Sequence, residues 1–112
     1  MSISYPSDSM EIIYYSKRIE DFINCLDADC LKHLFRSFDR LELSGYSLRM
    51  PYSKSLGEGL FELHVPSNPR IRVIFGFYRS KSVIVHIFFK KTMAIPKRDL
   101  DYAYDLWKNL VA

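Results

Sequence analysis

LFELHVPSNPRIRVIFGFYRSKSVIVHIFFKK, residues 60–91, is the stretch that decides the fold. Leu60–Val65 alternates Phe61, Leu63 and Val65 against Leu60, Glu62 and His64. Arg70–Arg79 alternates Ile71, Val73, Phe75 and Phe77 against Arg70, Arg72, Ile74, Gly76 and Tyr78. A period of two places successive side chains on opposite faces of a strand, so both segments read as half-buried strands. Ser82–Lys91 is the most apolar run and reads as a third, central strand. The turn-rich links Pro66–Pro69 and Ser80–Ser82 are short, which favours hairpin connections and antiparallel pairing.

Outward from this block the period changes. Toward the N-terminus, Glu11–Tyr15 (EIIYY) suits a strand, and Ser16 follows it as a helix N-cap. Ile19, Phe22, Ile23 and Leu26 then fall at i, i+3, i+4 and i+7. Leu31, Leu34, Phe35, Phe38 and Leu41 repeat that stripe after Asp27 and Asp29, and Gly45 ends it. Two successive amphipathic helices make a helical hairpin. Toward the C-terminus, Pro96 and Asp99 open a last helix with Leu100, Ala103, Tyr104, Trp107 and Leu110 on one stripe. The predicted architecture is α+β: an N-terminal strand and helical hairpin packed on an antiparallel sheet, with a C-terminal helix. Residues 1–10 read as a flexible leader and residues 11–112 as a single domain.

Composition narrows the function classes. With 112 residues, 48% hydrophobic and 15% aromatic, the chain has enough apolar material for one core and too little length for two. The formal net charge of +3 allows an anionic partner without requiring one. Cys25 and Cys30 are too few for a disulfide framework and lack the second Cys/His pair of a zinc site. No P-loop, nucleophile elbow, GxGxxG run or carboxylate cluster for a metal is present, so no metal or other cofactor is expected. The longest apolar run, Val83–Phe89, is far short of the roughly 20 residues that span a bilayer, and no secretion signal is visible. The expectation is a cytoplasmic protein without a membrane partner.

Strand alternation sorts the chemistry. One face carries Phe61, Leu63, Val65, Ile71, Val73, Phe75, Phe77, Val83, Val85, Ile87 and Phe89, and is assigned to the core. The opposite face gathers Glu62, His64, Arg70, Arg72, Tyr78, His86, Phe88 and Lys90, with Lys54 on the preceding loop and Lys91 at the strand end. Cations among aromatics suit single-stranded nucleic acid, with RNA favoured. The same set suits metal-free RNA cleavage by the ribose 2′-hydroxyl. That reaction needs a base, cations on the phosphoryl oxygens and an acid for the leaving 5′-oxygen. Arg72, Lys90 and Lys91 could supply the charge; His64, His86 or Glu62 could supply the base or the acid. Against this stands a simpler reading, in which the face is only solvated, Glu62 pairs with Arg72 and His86 is a support residue.

The ordered series from Pro51 onward adds a further indication. It comprises Lys54, Leu56, Gly59–His64, then Arg70–Phe75, then His86, Phe88, Lys90-Lys91-Thr92 and Pro96, with Ala103 in the last helix. It resembles the phage-derived Gp49-like, HigB-type branch of the RelE/ParE toxin superfamily, over about Tyr14 to Leu110. The resemblance implies a RelE-like fold and the toxin of a type II toxin–antitoxin module. It implies ribosome-dependent cleavage of mRNA that leaves a cyclic phosphate, and silencing by a cognate antitoxin, usually a helix-turn-helix, HigA-like protein. Lys54, Glu62, Arg72, Phe88, Lys90 and Lys91 match the family pattern, which makes Arg72, Lys90, Lys91, Glu62 and His64 the candidate catalytic residues. Lys54, Arg70, Phe88 and His86 are the candidate RNA-binding residues. The family usually has arginine where this chain has His64, a change that removes a permanent cation and supplies a group titrating near neutrality. The same fold also serves ParE-like DNA gyrase inhibitors, and a degenerate toxin that only binds its antitoxin is a third reading.

Overall fold

The computed structural model describes residues 10–112, so nearly all of the expected leader lies outside the described residues. Met10 itself belongs to the domain: it is buried, and its N–H donates to the Glu42 carbonyl at 2.8 Å. The chain runs β1 (Ile12–Tyr14), α1 (Lys17–Asn24), α2 (Ala28–Ser44), β2 (Ser53–Gly57), β3 (Leu60–Val65), β4 (Ile71–Tyr78), β5 (Lys81–Phe89) and α3 (Lys97–Val111). The fold is α+β, with one five-stranded sheet ordered β1-β5-β4-β3-β2. β2 to β5 are antiparallel, while β1 joins β5 in parallel and makes the sheet mixed. β5 is therefore internal but not central; β4 holds the middle.

The helical hairpin forms where the apolar stripe predicts it. Ile19 and Ile23 of α1, and Leu34, Phe38 and Leu41 of α2, are buried against Leu63, Val65, Ile71, Val73, Phe75, Ile84 and Ile87 of the sheet. The Asp27 carboxylate accepts the Cys30 N–H at 2.8 Å and caps α2, and Gly45 ends that helix at φ 51°, where a side chain would be strained.

The other face of the sheet is not left to solvent. α3 lies across it, burying Ala103 and Trp107 on Leu60, Ile74, Val83, Val85 and Phe88. Gly76 makes this approach possible, because a Cβ there would overlap the Trp107 ring. The Tyr104 hydroxyl, 2.8 Å from the Leu56 carbonyl and 2.9 Å from that of Gly57, ties α3 to the end of β2.

Two further expectations are corrected. Val83 and Val85 pack under α3 rather than under the hairpin, and Ile84 takes the hairpin side. The cause is a bulge in β5: Ile74 pairs with His86 and Phe75 with Ile84, so Val85 is left without a partner on β4 and the alternation slips by one. The segment carrying Lys54 is a strand, β2, not a loop.

Candidate functional site

α3 covers only part of its face. Beyond it, β2, β3 and the residue that follows β5 present polar side chains to a cleft of about 410 Å³, bordered by Met50, Lys54, Leu56, Glu62, His64 and Lys90, and closed by Met93–Ile95 and Leu100; Arg72 lies behind Glu62 and does not border it. Cross-strand register builds the site. His64 stands opposite Arg72, Lys54 opposite Glu62, and Phe88 opposite Arg72.

The Glu62 carboxylate is the centre. Its Oε1 lies 2.9 Å from Arg72 Nε, 3.0 Å from His64 Nε2 and 3.5 Å from Lys90 Nζ. Glu62 is buried, as is Arg72, and the Lys90 side chain is only 11% exposed. Lys90 donates a hydrogen bond to the carboxylate, and Arg72 Nη1 donates to the Ile71 carbonyl at 3.1 Å. Arg72 Nε and His64 Nε2 touch the carboxylate without a directed hydrogen bond, so both keep donor or acceptor capacity. One carboxylate faces two buried or half-buried cations, and Lys54 and Lys91 stand exposed nearby. The cleft is thus cationic on balance and can take an anion.

Burial pushes the His64 imidazole below its ordinary value of 6.5, and the charges of Arg72 and Lys90 push it the same way, against the pull of Glu62. The ring is neutral at pH 7. A neutral imidazole beside fixed cations can accept a proton from a hydroxyl, while the cations stabilise charge that builds on phosphoryl oxygens.

The structure therefore brings together Glu62, His64, Arg72 and Lys90, with Lys54 on the rim. Arg70 precedes β4 and is exposed; its carbonyl accepts the Lys90 N–H at 2.8 Å, which fixes the end of β5 beside it. Lys91 follows β5 and is exposed. Phe88 is buried between the sheet and α3, stacked on His86 at 5.1 Å, so it supports the site rather than offering an open face. His86 lies apart from Glu62, with its Nε2 2.8 Å from Asp99 Oδ1. Reading the sequence missed Met50 and Met93–Ile95 as walls of the cleft, and Asp99 as the partner of His86. The hairpin register could have put Lys54 opposite Glu62; nothing in the local pattern announces the other contacts.

Among the described residues, no three His, Cys, Asp or Glu side chains gather as a metal site, and no helix is long and apolar enough to cross a membrane. Comparison with curated proteins finds no match. The family model described as phage-derived protein Gp49-like matches residues 21–108, from within α1 almost to the end of α3. With the cationic cleft and the α+β architecture already in view, that match covers most of the domain, and the chain belongs to the phage-derived Gp49-like family, a RelE/HigB-type toxin family.

Proposed function

We propose that this protein is the toxin of a type II toxin–antitoxin module and cleaves mRNA in the ribosomal A site without a metal ion. The observation that carries the reading is the Glu62-centred cluster: two cations and a neutral histidine held around one buried carboxylate in an open cleft.

In this reading the scissile phosphate enters the cleft and takes Lys90 as its direct partner, with Arg72 adding its charge from behind Glu62 and with Lys91 and Lys54 contacting flanking phosphates. His64 takes the proton of the ribose 2′-hydroxyl as its oxygen attacks phosphorus. The P–O5′ bond breaks, a 2′,3′-cyclic phosphate forms, and the departing 5′-oxygen takes a proton from an ammonium group, Lys54 on the rim or Lys90 in the cluster. Glu62 does not bind substrate. It holds Arg72 and Lys90 in place and orients the His64 ring, a role suited to its burial. General acid–base assistance of this kind contributes about 10²- to 10⁴-fold.

A partner follows from the same cleft. Its cationic balance suits an acidic segment of a cognate antitoxin, which would block substrate and associate quickly through charge complementarity. The test is expression in cells with and without the neighbouring reading frame. Arrested growth with cut mRNA, relieved by the neighbour, is the expected result; blocked DNA supercoiling with intact mRNA would instead make the protein a gyrase inhibitor.

A further inference from the structure

β5 has a neighbour on its outer side only as far as Ile84, where the parallel pairing with β1 ends. Alongside the rest of the strand, the first turns of α1 and α3 approach each other. They enclose a cavity of about 170 Å³ bordered by Arg18, Phe22, His86, Phe88, Asp99 and Tyr102. An adjoining recess of about 370 Å³ shares Arg18, His86, Asp99 and Tyr102 and adds Arg98.

Three features mark this cavity. The first is His86, a buried imidazole whose Nε2 is committed to Asp99 at 2.8 Å, with Phe88 stacked on one side and the Tyr102 ring 4.8 Å away. Burial, which outweighs Asp99, holds this ring neutral at pH 7. A neutral ring whose Nε2–H donates a hydrogen bond to a carboxylate keeps Nδ1 as an acceptor. The second is the pair Arg18 and Arg98, both exposed and on different helices: Arg18 borders the cavity and the recess, Arg98 the recess. The nearby carboxylates Asp21 and Asp101 are engaged by Lys17 and Lys97, and Arg18 rests 5.0 Å over the Tyr102 ring. The third is position. His86 is opposite Ile74, which is opposite Glu62, so the cavity lies two strand spacings, about 10 Å, from the carboxylate cluster on the same face. Phe88 joins the two, in register with Arg72 and stacked on His86. A latch holding α3 to the sheet would account for His86 and Asp99 but not for the two arginines.

We propose that this cavity is a subsite for a nucleotide flanking the scissile phosphate: Arg18 and Arg98 pair with its phosphate, and His86 accepts a hydrogen bond from its ribose 2′-hydroxyl. The assignment rests on the reading of the protein as an RNA-binding toxin. Guanidinium groups beside aromatic rings are the usual means of holding a single strand, and a 2′-hydroxyl contact is what separates RNA from DNA.

The test is binding of a fluorescein-labelled RNA hexanucleotide, and of its DNA counterpart, to the full-length protein over a range of salt concentrations. The wild type is compared with the Arg18→Ala, Arg98→Ala double variant and with His86→Gln. The double variant should bind RNA roughly tenfold or more weakly, and its log–log salt slope should fall by about 0.7 for each phosphate that the protein no longer neutralises. The preference for RNA over DNA should shrink in His86→Gln. If that variant fails to fold, the double variant, altered only at exposed positions, still decides the matter. Wild-type affinity and slope in the double variant, or no RNA binding by the wild type, would overturn the proposal. Cleavage of ribosome-bound mRNA separates this idea from the one beneath it. RNA binding that behaves as stated, with no cleavage by the wild type, leaves the subsite standing and removes the nuclease. Intact cleavage, with KM unchanged in the double variant, does the reverse.

Discussion

In the proposed reaction His64 and Glu62 divide the work of the cleft by burial: the histidine is partly exposed and neutral, the carboxylate almost wholly enclosed by positive and polar groups. This has a kinetic signature. Because burial and the neighbouring cations lower the His64 value, the neutral form that accepts a proton persists below the ordinary 6.5. The single-turnover cleavage rate should therefore be flat near neutrality and fall only as pH drops below that value. An acid limb centred above 6.5 would remove His64 as the base. His64→Ala should slow cleavage about 10²- to 10⁴-fold with little change in RNA affinity. Glu62 predicts a different outcome. Replacing it with alanine leaves Arg72 and Lys90 confined without a counter-charge, an effect worth about 3–5 kcal/mol when a buried pair is broken. Chemical denaturation should show Glu62→Ala as strongly destabilised, whereas His64→Ala unfolds close to wild type.

Elements explain why this cluster is open while the rest of its face is not. The Trp107 ring sits on Gly76, and Gly76→Ala would force that ring outward at about 1–3 kcal/mol, measurable as a lower denaturation midpoint with an unchanged slope. Much of this was legible in residues 60–78. Alternation alone put Glu62, His64 and Arg72 on one face, and the register of a short-looped hairpin confirms it. Three things were not legible. The bulge at Val85 depends on how β4 and β5 settle against two different helical layers, and no residue in that β-branched run marks it. β2, with its Ser-Lys-Ser start, carries too little apolar signal for a strand and is one only because β3 offers it an edge. The stripe of α3 said that the helix was amphipathic but not which face of the sheet it would cover.

At the scale of the molecule, two buried or partly buried histidines, His64 and His86, make the whole fold sensitive to acid. Both are held below 6.5 in the native state, chiefly by burial, so the unfolded chain binds protons more readily. Stability should accordingly be fully present above pH 6.5 and should decline as pH falls from there through the lowered native values. Thermal denaturation at pH 7.5 and pH 5.5 should show the drop, and it should be smaller in a His86→Gln protein that folds. The layered arrangement also assigns separate tasks. The hairpin layer and its face of the sheet supply the larger core, while the α3 layer covers part of the opposite face and leaves the remainder open. If this uncovered part cuts RNA, as proposed, primer extension on cellular mRNA after induction will show it. The wild type should generate new 5′ ends within coding sequence, and Arg72→Ala, at equal soluble expression, should not. The same ends from Arg72→Ala, or growth arrest by the wild type with no new ends, would contradict it.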